Sequence, residues 1–356
     1  MTRFSIAAPA LGRRTLLQGG VAAALLAGLP AGRLLAQDAE LPEAVLALIE
    51  PAMAEPQAVM FGLSIPADRA TAFKEALDGF YGFPLNVEFQ GGLGPQKAAE
   101  VAQLASRGVP AGVDCFYAGE GTTIFLRGAG AVETDGWAVE LGIPPERLVD
   151  ASAVKIIDSS LPLMSYNQDL VDPADLPTSW EDLLDPRWTG RITMPRLPGG
   201  AFFYNTHSVG EDVMTRVLEG IMTQNVIWVP RTPDAATRLL SGEAALAIGV
   251  DIESQVVRGA PLAYVPIQPM YMAPWLTNMV KGTRSPNLVK LFAYFVSTDT
   301  GQAALNAATG YSTVDLPGST KAALLAQYNP TYVPQEWIAE NYERLVTKYS
   351  GIMGLR

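Results

Sequence analysis

The sequence predicts an α/β protein that is built as two lobes. Apolar strand patterns alternate with helical patterns over residues 58–117, and strands that alternate with helices form largely parallel sheets. The chain has 356 residues, which exceeds the length over which a single hydrophobic core keeps growing. A second strand–helix–strand pattern begins at Ser165, after an extended segment, and marks the expected start of the second lobe.

The first 36 residues are expected to be an export signal. They contain four arginines and no acidic residue, and the pair Arg13-Arg14 precedes an apolar run over 21–29. This run is shorter than the ~20 apolar residues that a membrane-spanning helix needs. Twin arginines before such a run are typical of a removable twin-arginine signal, so we expect a mature, exported protein in the periplasm. An uncleaved anchor is the alternative, and the exact cleavage position is open.

Composition limits the partners of the exported body. The sequence has 25 basic and 36 acidic residues and a formal net charge of −11, and the arginine-rich signal carries four of the basic residues. An acidic body repels nucleic acid and anionic lipid, so neither is expected as a partner. The single cysteine, Cys115, cannot form an intrachain disulfide and is expected to be a small buried hydrophobic residue.

The first lobe is assigned to residues 37–160. Its predicted strands cover 58–63, 85–89 and 112–117, and its predicted helices cover 41–53, 67–80, 96–106, 122–131 and 137–150. Ligands of parallel sheets lie beyond the carboxyl ends of the strands. The turns after these strands therefore predict one wall of a cleft, with Ser64, Gly92 and Tyr117 as candidate ligand-binding residues. The glycine turn lacks the Gly-Lys-Ser/Thr of a phosphate-binding loop, so a nucleotide site is not expected.

The second lobe is assigned to residues 161–266. An extended segment over 155–163 leads into it and is the predicted hinge, where Ser160 either faces the cleft or satisfies backbone groups. Thr178-Ser179 predict the N-cap of a short helix over 180–184, and Asp185-Pro186 predict its end. A strand over 192–194 follows, and Trp180 and Trp188 are expected to be core anchors.

Two separated strings of the sequence resemble a known family. The order Y-N-x-D-L-V, L-P-x-S-W-E-D-L-L-D-P-x-W-x-G-R-I and M-P over 166–195 resembles the second-lobe start of extracytoplasmic solute-binding proteins of ATP-binding-cassette importers. The similar branch contains ferric-ion, polyamine, thiamine and phosphonate receptors. Residues 276–302, including the S-T-D-T-G-Q string, resemble the return of that family to its first lobe.

The resemblance implies the type II periplasmic-binding-protein fold. This fold has two lobes of mixed sheets flanked by helices, joined by two hinge crossovers, here near 159–166 and 265–275, with residues 267–356 returning to the first lobe and ending in helices. It also implies a monomeric receptor that closes over a small molecule and docks on the membrane subunits of an importer, with no cofactor and no catalysis. A receptor for a sensor kinase has the same fold. An exported hydrolase is the alternative of another class, although the single histidine, His207, has no nucleophile-elbow motif beside it.

Five residues of the second lobe and the return segment are further ligand candidates. Arg196 could bind a carboxylate or phosphonate through two parallel hydrogen bonds from its guanidinium. Tyr204 could stack on the ligand or belong to the core of a helix. Asp251 follows a buried strand and suits a cationic group, or else caps a helix over 252–258. Tyr271 and Trp275 are candidates for stacking on the ligand.

The ligand class is predicted from one position at which this sequence differs from the ferric-ion receptors of the resembling family. Ferric-ion receptors of the resembling family carry consecutive tyrosines where this chain has Val250-Asp251. We therefore expect a small organic cation or zwitterion, such as a polyamine or an aminophosphonate, and assign no metal-ligating residue. A ferric ion or another metal ion is the alternative, bound by tyrosines that could still converge: Tyr117, Tyr166, Tyr204 and Tyr271.

Overall fold

The computed structural model of the chain describes residues 41–92, 94–161, 164–196 and 200–355. The predicted export signal over 1–36 lies outside the described residues. Within the described part of the chain, no helix combines the length and the apolar character needed to cross a membrane.

Residues 41–161 form alternating helices and strands, as predicted. In chain order these are α1 (Glu43–Ala54), β1 (Ala58–Phe61), α2 (Ala67–Tyr81), β2 (Val87–Gln90), α3 (Gly94–Ala105), β3 (Cys115–Gly119), α4 (Glu120–Gly128), β4 (Leu148–Asp150) and β5 (Ala153–Leu161). The predicted helix over 137–150 is wrong, because only the 3₁₀ turns Val139–Leu141 and Pro145–Arg147 form before β4. Gly142 between them has a φ of 69°, and the following prolines cannot continue a helix.

Residues 164–264 form the second series of elements. These are β6 (Met164–Asn167), β7 (Ile192–Pro195), α5 (Gly200–Val209), α6 (Glu211–Met222), β8 (Ile227–Val229), α7 (Thr232–Leu240), β9 (Leu246–Ile248), α8 (Glu253–Val256) and β10 (Leu262–Tyr264). The short helix predicted after Ser179 is the 3₁₀ helix Glu181–Leu184. The Asp182 amide donates to the Ser179 hydroxyl at 3.3 Å, and the Asp182 carboxylate accepts from the Thr178 and Ser179 amides in return.

The remaining chain adds two strands to the first sheet and four helices. It contributes β11 (Tyr271–Met279), α9 (Pro286–Ser297), α10 (Asp299–Thr309), α11 (Thr320–Tyr328), β12 (Thr331–Tyr332) and α12 (Gln335–Ile352). The first sheet has the order β2-β1-β3-β11-β5-β4, with β12 paired to β11, and the second has the order β10-β6-β9-β7-β8. β1 is parallel to β2 and β3, whereas β11 is antiparallel to β3 and β5, so the first sheet is mixed. The second sheet is mixed in the same way.

Each sheet carries its own hydrophobic core, which gives the two lobes predicted from the length of the chain. The first core packs α1, α2 and α9 on the sheet and contains Phe73 and Phe292. The second core contains Trp180 and Trp188, both 2 % exposed, which confirms that they are core anchors. The long helix α12 also packs in the second core, against α5 and α6. Cys115 is buried, as expected.

Candidate functional site

The turns after β1 and β2 lie side by side at one edge of the first sheet. These strands are parallel and in register, so their carboxyl ends meet there. A Cβ atom built on Gly91 would lie 3.1 Å from the Ser64 hydroxyl, and one built on Gly92 would lie 2.6 Å from the Phe61 ring. Only glycine allows this close packing of the two turns. Ser64 and Gly92 are both exposed, so this edge presents a hydroxyl and bare backbone to solvent.

An aromatic pair lies at the end of the neighbouring strands β3 and β11. The rings of Tyr117 and Trp275 have centroids 5.1 Å apart and planes inclined by 34°. Tyr117 is 8 % exposed, whereas Trp275 is 37 % exposed. The indole lies over the backbone of Gly119, where a Cβ atom would be in ordinary van der Waals contact with it at 3.7 Å. We call this pair the aromatic platform; its tyrosine is buried and its indole is partly exposed.

The surroundings of the Tyr117 hydroxyl contain charged groups. Burial raises the pKa of Tyr117 well above its ordinary value, and the nearby Tyr311, Asp251 and Asp158 raise it further. The phenol therefore stays neutral and serves as a hydrogen-bonding group rather than as an anion. Each of these two carboxylates lies beside a lysine ammonium, Asp251 beside Lys321 and Asp158 beside Lys155, so the charges around the phenol are mixed.

Asp251 follows β9 of the second sheet and lies in a buried polar cluster. Its Oδ2 accepts from the Lys321 ammonium at 2.5 Å, and its Oδ1 accepts from the Tyr264 hydroxyl at 2.5 Å. Oδ1 also accepts from the Glu253 amide at 3.0 Å, ahead of α8. Asp251 thus bonds the first residue of a helix, as one of its two interpretations expected. Its ammonium partner is Lys321 of the same chain, so binding of a ligand cation by Asp251 stays a prediction.

Glu253 is the second carboxylate of this cluster. It is fully buried, lies 3.5 Å from the Lys321 ammonium, and accepts from the Ser312 hydroxyl at 2.6 Å and the Ser312 amide at 3.1 Å. Burial raises its pKa to about 7, against the lowering effect of Lys321. Burial by itself would lower the pKa of Lys321, but Asp251, Tyr264 and Glu253 hold it well above its ordinary value. The ammonium therefore stays charged.

Tyr204 and Tyr271 lie in the core rather than on an open face. The Tyr204 hydroxyl is hydrogen-bonded to the buried Glu120 carboxylate, which also accepts from the Gln335 amide. Burial raises the pKa of Glu120 to about 7. The Tyr271 hydroxyl lies 3.2 Å from His207 Nδ1. These contacts match the packing interpretation that the sequence left open for Tyr204.

The two remaining candidates lie apart from the aromatic platform. Ser160 pairs with Met272 through the backbone, where β5 and β11 run together beside the crossover. Arg196 is exposed, its guanidinium lies 5.5 Å from the centroid of the Trp228 ring, and its amide donates to the Val229 carbonyl. Arg196 thus directly follows β7 and lies beside an aromatic ring.

The structure therefore places the predicted residues in different surroundings. Tyr117 and Trp275 form the aromatic platform, Asp251 lies in the buried polar cluster, Tyr204 and Tyr271 are buried beside other partners, and the exposed turns carry Ser64, Gly92 and Arg196. Within the described residues, no group of three or more histidine, cysteine or acidic side chains is arranged to hold a metal ion. A role in ligand binding stays a prediction for all nine residues: Ser64, Gly92, Tyr117, Ser160, Arg196, Tyr204, Asp251, Tyr271 and Trp275.

Lys321 and Glu120 were missed in the sequence. Lys321 lies in α11, for which no helix was predicted, and its partner Asp251 is 70 positions away. Glu120 lies within the turn predicted after the third strand, over 117–121, so its position at a strand end was a signal that could have been used.

Comparison with known proteins agrees with this architecture. A family model described as bacterial extracellular solute-binding protein matches residues 146–342, which is more than half of the chain. A comparison with curated protein sequences gives no match.

Solved structures share the fold at low sequence identity. Iron-bound HitA from Pseudomonas aeruginosa is 17% identical, with a TM-score of 0.62, over 83% of this chain and 99% of that chain. AfuA from Actinobacillus pleuropneumoniae, with exogenous fructose-6-phosphate bound, is 15% identical, with a TM-score of 0.63, over 85% of this chain and 100% of that chain. The Atu4243-GABA receptor is 18% identical, with a TM-score of 0.63, over 83% of this chain and 97% of that chain.

Proposed function

The chain belongs to the bacterial extracellular solute-binding protein family, and from this premise we propose that it captures a small polar solute between its lobes for an ATP-binding-cassette importer. The lobes would close over the solute by bending at the crossovers between β5 and β6 and between β10 and β11. The closed form would then dock on the membrane subunits of the importer, as a monomer.

The observation that carries this proposal is the aromatic platform. An indole that is 37 % exposed, backed by a buried tyrosine, offers a flat face on which a solute can stack without moving the core. It lies at the carboxyl end of β3, beside the turns of β1 and β2, where ligands of such sheets bind. Bare backbone at Gly92 and the Ser64 hydroxyl add hydrogen-bonding groups at the same edge.

The proposed solute is an organic cation or zwitterion. The support for positive charge comes from the indole, since a cation over an indole face gains about 0.5–2 kcal/mol depending on how far it is desolvated. An acidic end of a zwitterion would find the exposed guanidinium of Arg196 on the second lobe. The printed names of the similar structures mention iron, fructose-6-phosphate and GABA, so the ligands of proteins with this fold differ widely in charge.

Export through the twin-arginine pathway is part of the proposal. The arginine pair and the short apolar run over 1–36 support it, and such export would deliver a folded protein to the periplasm. An exported protein with this fold would bind its solute outside the cytoplasmic membrane, before the importer transports the solute across it.

Native mass spectrometry of the protein freshly isolated from the periplasm tests the proposal. We expect one small organic solute to co-purify with the wild-type protein and to be missing from Trp275→Ala. Trp275→Phe is the matched control, since it keeps a ring on Tyr117 and should retain the solute.

Two results would decide against parts of this proposal. A bound ferric ion in place of an organic molecule would overturn the solute class and keep the receptor. An empty protein whose unfolding temperature is unchanged by amines, amino acids, phosphonates and metal ions would overturn the receptor itself.

A further inference from the structure

A third connection joins the two lobes beside the two crossovers. α10 packs on α2 of the first lobe, whereas α12 packs on α5 and α6 of the second. The chain between them, residues 310–334, must therefore pass from one lobe to the other. We call this segment the strap; it contains α11 and β12.

The strap is held to the second lobe by the buried polar cluster. Lys321 of the strap, with no exposed surface, contacts Asp251 at 2.5 Å and Glu253 at 3.5 Å. Ser312 donates two hydrogen bonds to Glu253. The backbones also touch, because a Cβ atom on Gly310 would lie 2.8 Å from the Ser254 Cα, and Gly310 has a φ of 79° that favours glycine.

The same segment is held to the first lobe near the end of β5. The Val314 amide donates to Asp158 Oδ2 at 2.9 Å, and the Tyr332 hydroxyl donates to Asp158 Oδ1 at 2.8 Å. Asp158 is fully buried and also lies 3.4 Å from the Lys155 ammonium. The strap therefore binds a charged group of each lobe. Asp158 lies near the end of β5, and Asp251 contacts Tyr264, the last residue of β10.

Opening this connection would be costly. Separation of Lys321 from its carboxylates would leave charged groups without partners in a site that excludes water, and buried charges without partners are strongly unfavourable. The crossovers leave the first sheet from β5 and β11 and the second sheet from β6 and β10. The opposite edges of the two sheets are β2 and β8, and no connection between the lobes leaves from either of them.

We infer that the strap is the fixed pivot of the lobes: its charge cluster stays closed while the edges at β2 and β8 move apart. This pivot rests on the proposed opening and closing of the lobes. The solute would then enter between the edges at β2 and β8. The pivot also gives Lys321 a positioning role, since this ammonium holds Asp251 and Glu253 of the second lobe against the strap.

Pulsed electron paramagnetic resonance on spin-labelled, solute-free protein tests the pivot. Its single native cysteine is buried, so exposed positions changed to cysteine can be labelled selectively. One pair, Gln96→Cys with Arg231→Cys, lies after β2 and β8. The second pair, Ala307→Cys with Arg258→Cys, lies on α10 and after α8, near the strap.

We expect the strap-side distance distribution to be at least about twofold narrower than the distribution across β2 and β8. Lys321→Met should widen the strap-side distribution, and Lys321→Arg should keep it narrow. A strap-side distribution as wide as the other in the wild-type protein, or one that Lys321→Met leaves unchanged, would overturn the pivot.

Hydrogen exchange of the wild-type protein provides a readout that needs no variant. The Ser312 and Val314 amides donate to the buried carboxylates of the two lobes and should exchange as slowly as the core strands. Fast exchange at both amides would overturn the inference even if Lys321→Met does not fold. No solute is needed in either measurement, so failure to find one would count against the proposed function alone.

Discussion

Replacement of Lys321 by methionine is the most direct test of the buried charge cluster. Methionine has a similar volume, so the change removes the ammonium and leaves Asp251 and Glu253 buried without a cation. Removal of one partner from a buried ion pair costs about 3–5 kcal/mol, because the remaining charge stays desolvated. Since Lys321 has no exposed surface, solvent does not screen this loss. We expect urea unfolding at pH 8 to show a decrease of that size in the free energy of unfolding.

The decrease in the free energy of unfolding caused by Lys321→Met should be larger at high pH than at low pH. Glu253 already has a pKa raised to about 7, so it takes up a proton readily when its cation is removed. The decrease for Lys321→Met should therefore be smaller at pH 6 than at pH 8. Lys348→Met is the matched control, because its ion pair with Glu211 is partly exposed and should contribute no more than about 1 kcal/mol. Equal effects of the two changes would refute the reasoning.

Three further predictions address other parts of the molecule. Burial raises the pKa of Glu120 to about 7, so the folded state holds this proton more tightly, and the contribution of Glu120 to stability is lost as pH rises from about 4.5 to 7. The free energy of unfolding, measured with urea between pH 5 and 8, should therefore decrease more steeply with pH for the wild-type protein than for Glu120→Gln. Parallel pH dependences of the two proteins would contradict this. Gly310→Ala should lower the unfolding free energy by roughly 1–3 kcal/mol more than Gly318→Ala, since both have a positive φ but only Gly310 faces a close neighbour. Asp251→Asn should weaken binding of a cationic co-purified solute at least tenfold, about 1.4 kcal/mol, in titration calorimetry, and unchanged affinity would remove Asp251 from the site.

Local patterns in the sequence were sufficient to predict most elements. The strands β1, β2 and β3 lie within or next to their predicted ranges, because short apolar runs between turn residues carry a local signal. The prediction of a helix over 137–150 was wrong because turn residues interrupt the apolar pattern there. The apolar residues of this range have a helical spacing, but Gly142 and the prolines after it impose turns.

Contacts between distant residues could not be predicted in this way. Tyr117 and Trp275 stack because β3 and β11 are neighbours in the sheet, although 158 positions separate them. Lys321 is buried because it contacts Tyr264 and Asp251, which are 57 and 70 positions away in the sequence. The general position of a cleft follows from strand order, whereas the charge of its walls depends on side chains that only the folded chain brings together.

The burial of Cys115 bears on how this protein tolerates oxidation. Burial raises the pKa of its thiol to about 12, and thiolate is the form that attacks disulfides and reacts with peroxides. A compartment that forms disulfides would otherwise be hazardous for a protein with an unpaired cysteine, which could couple two copies covalently. In this position the sulfur is both protonated and shielded, so the protein should survive export and storage in air without reducing agent and without forming covalent dimers.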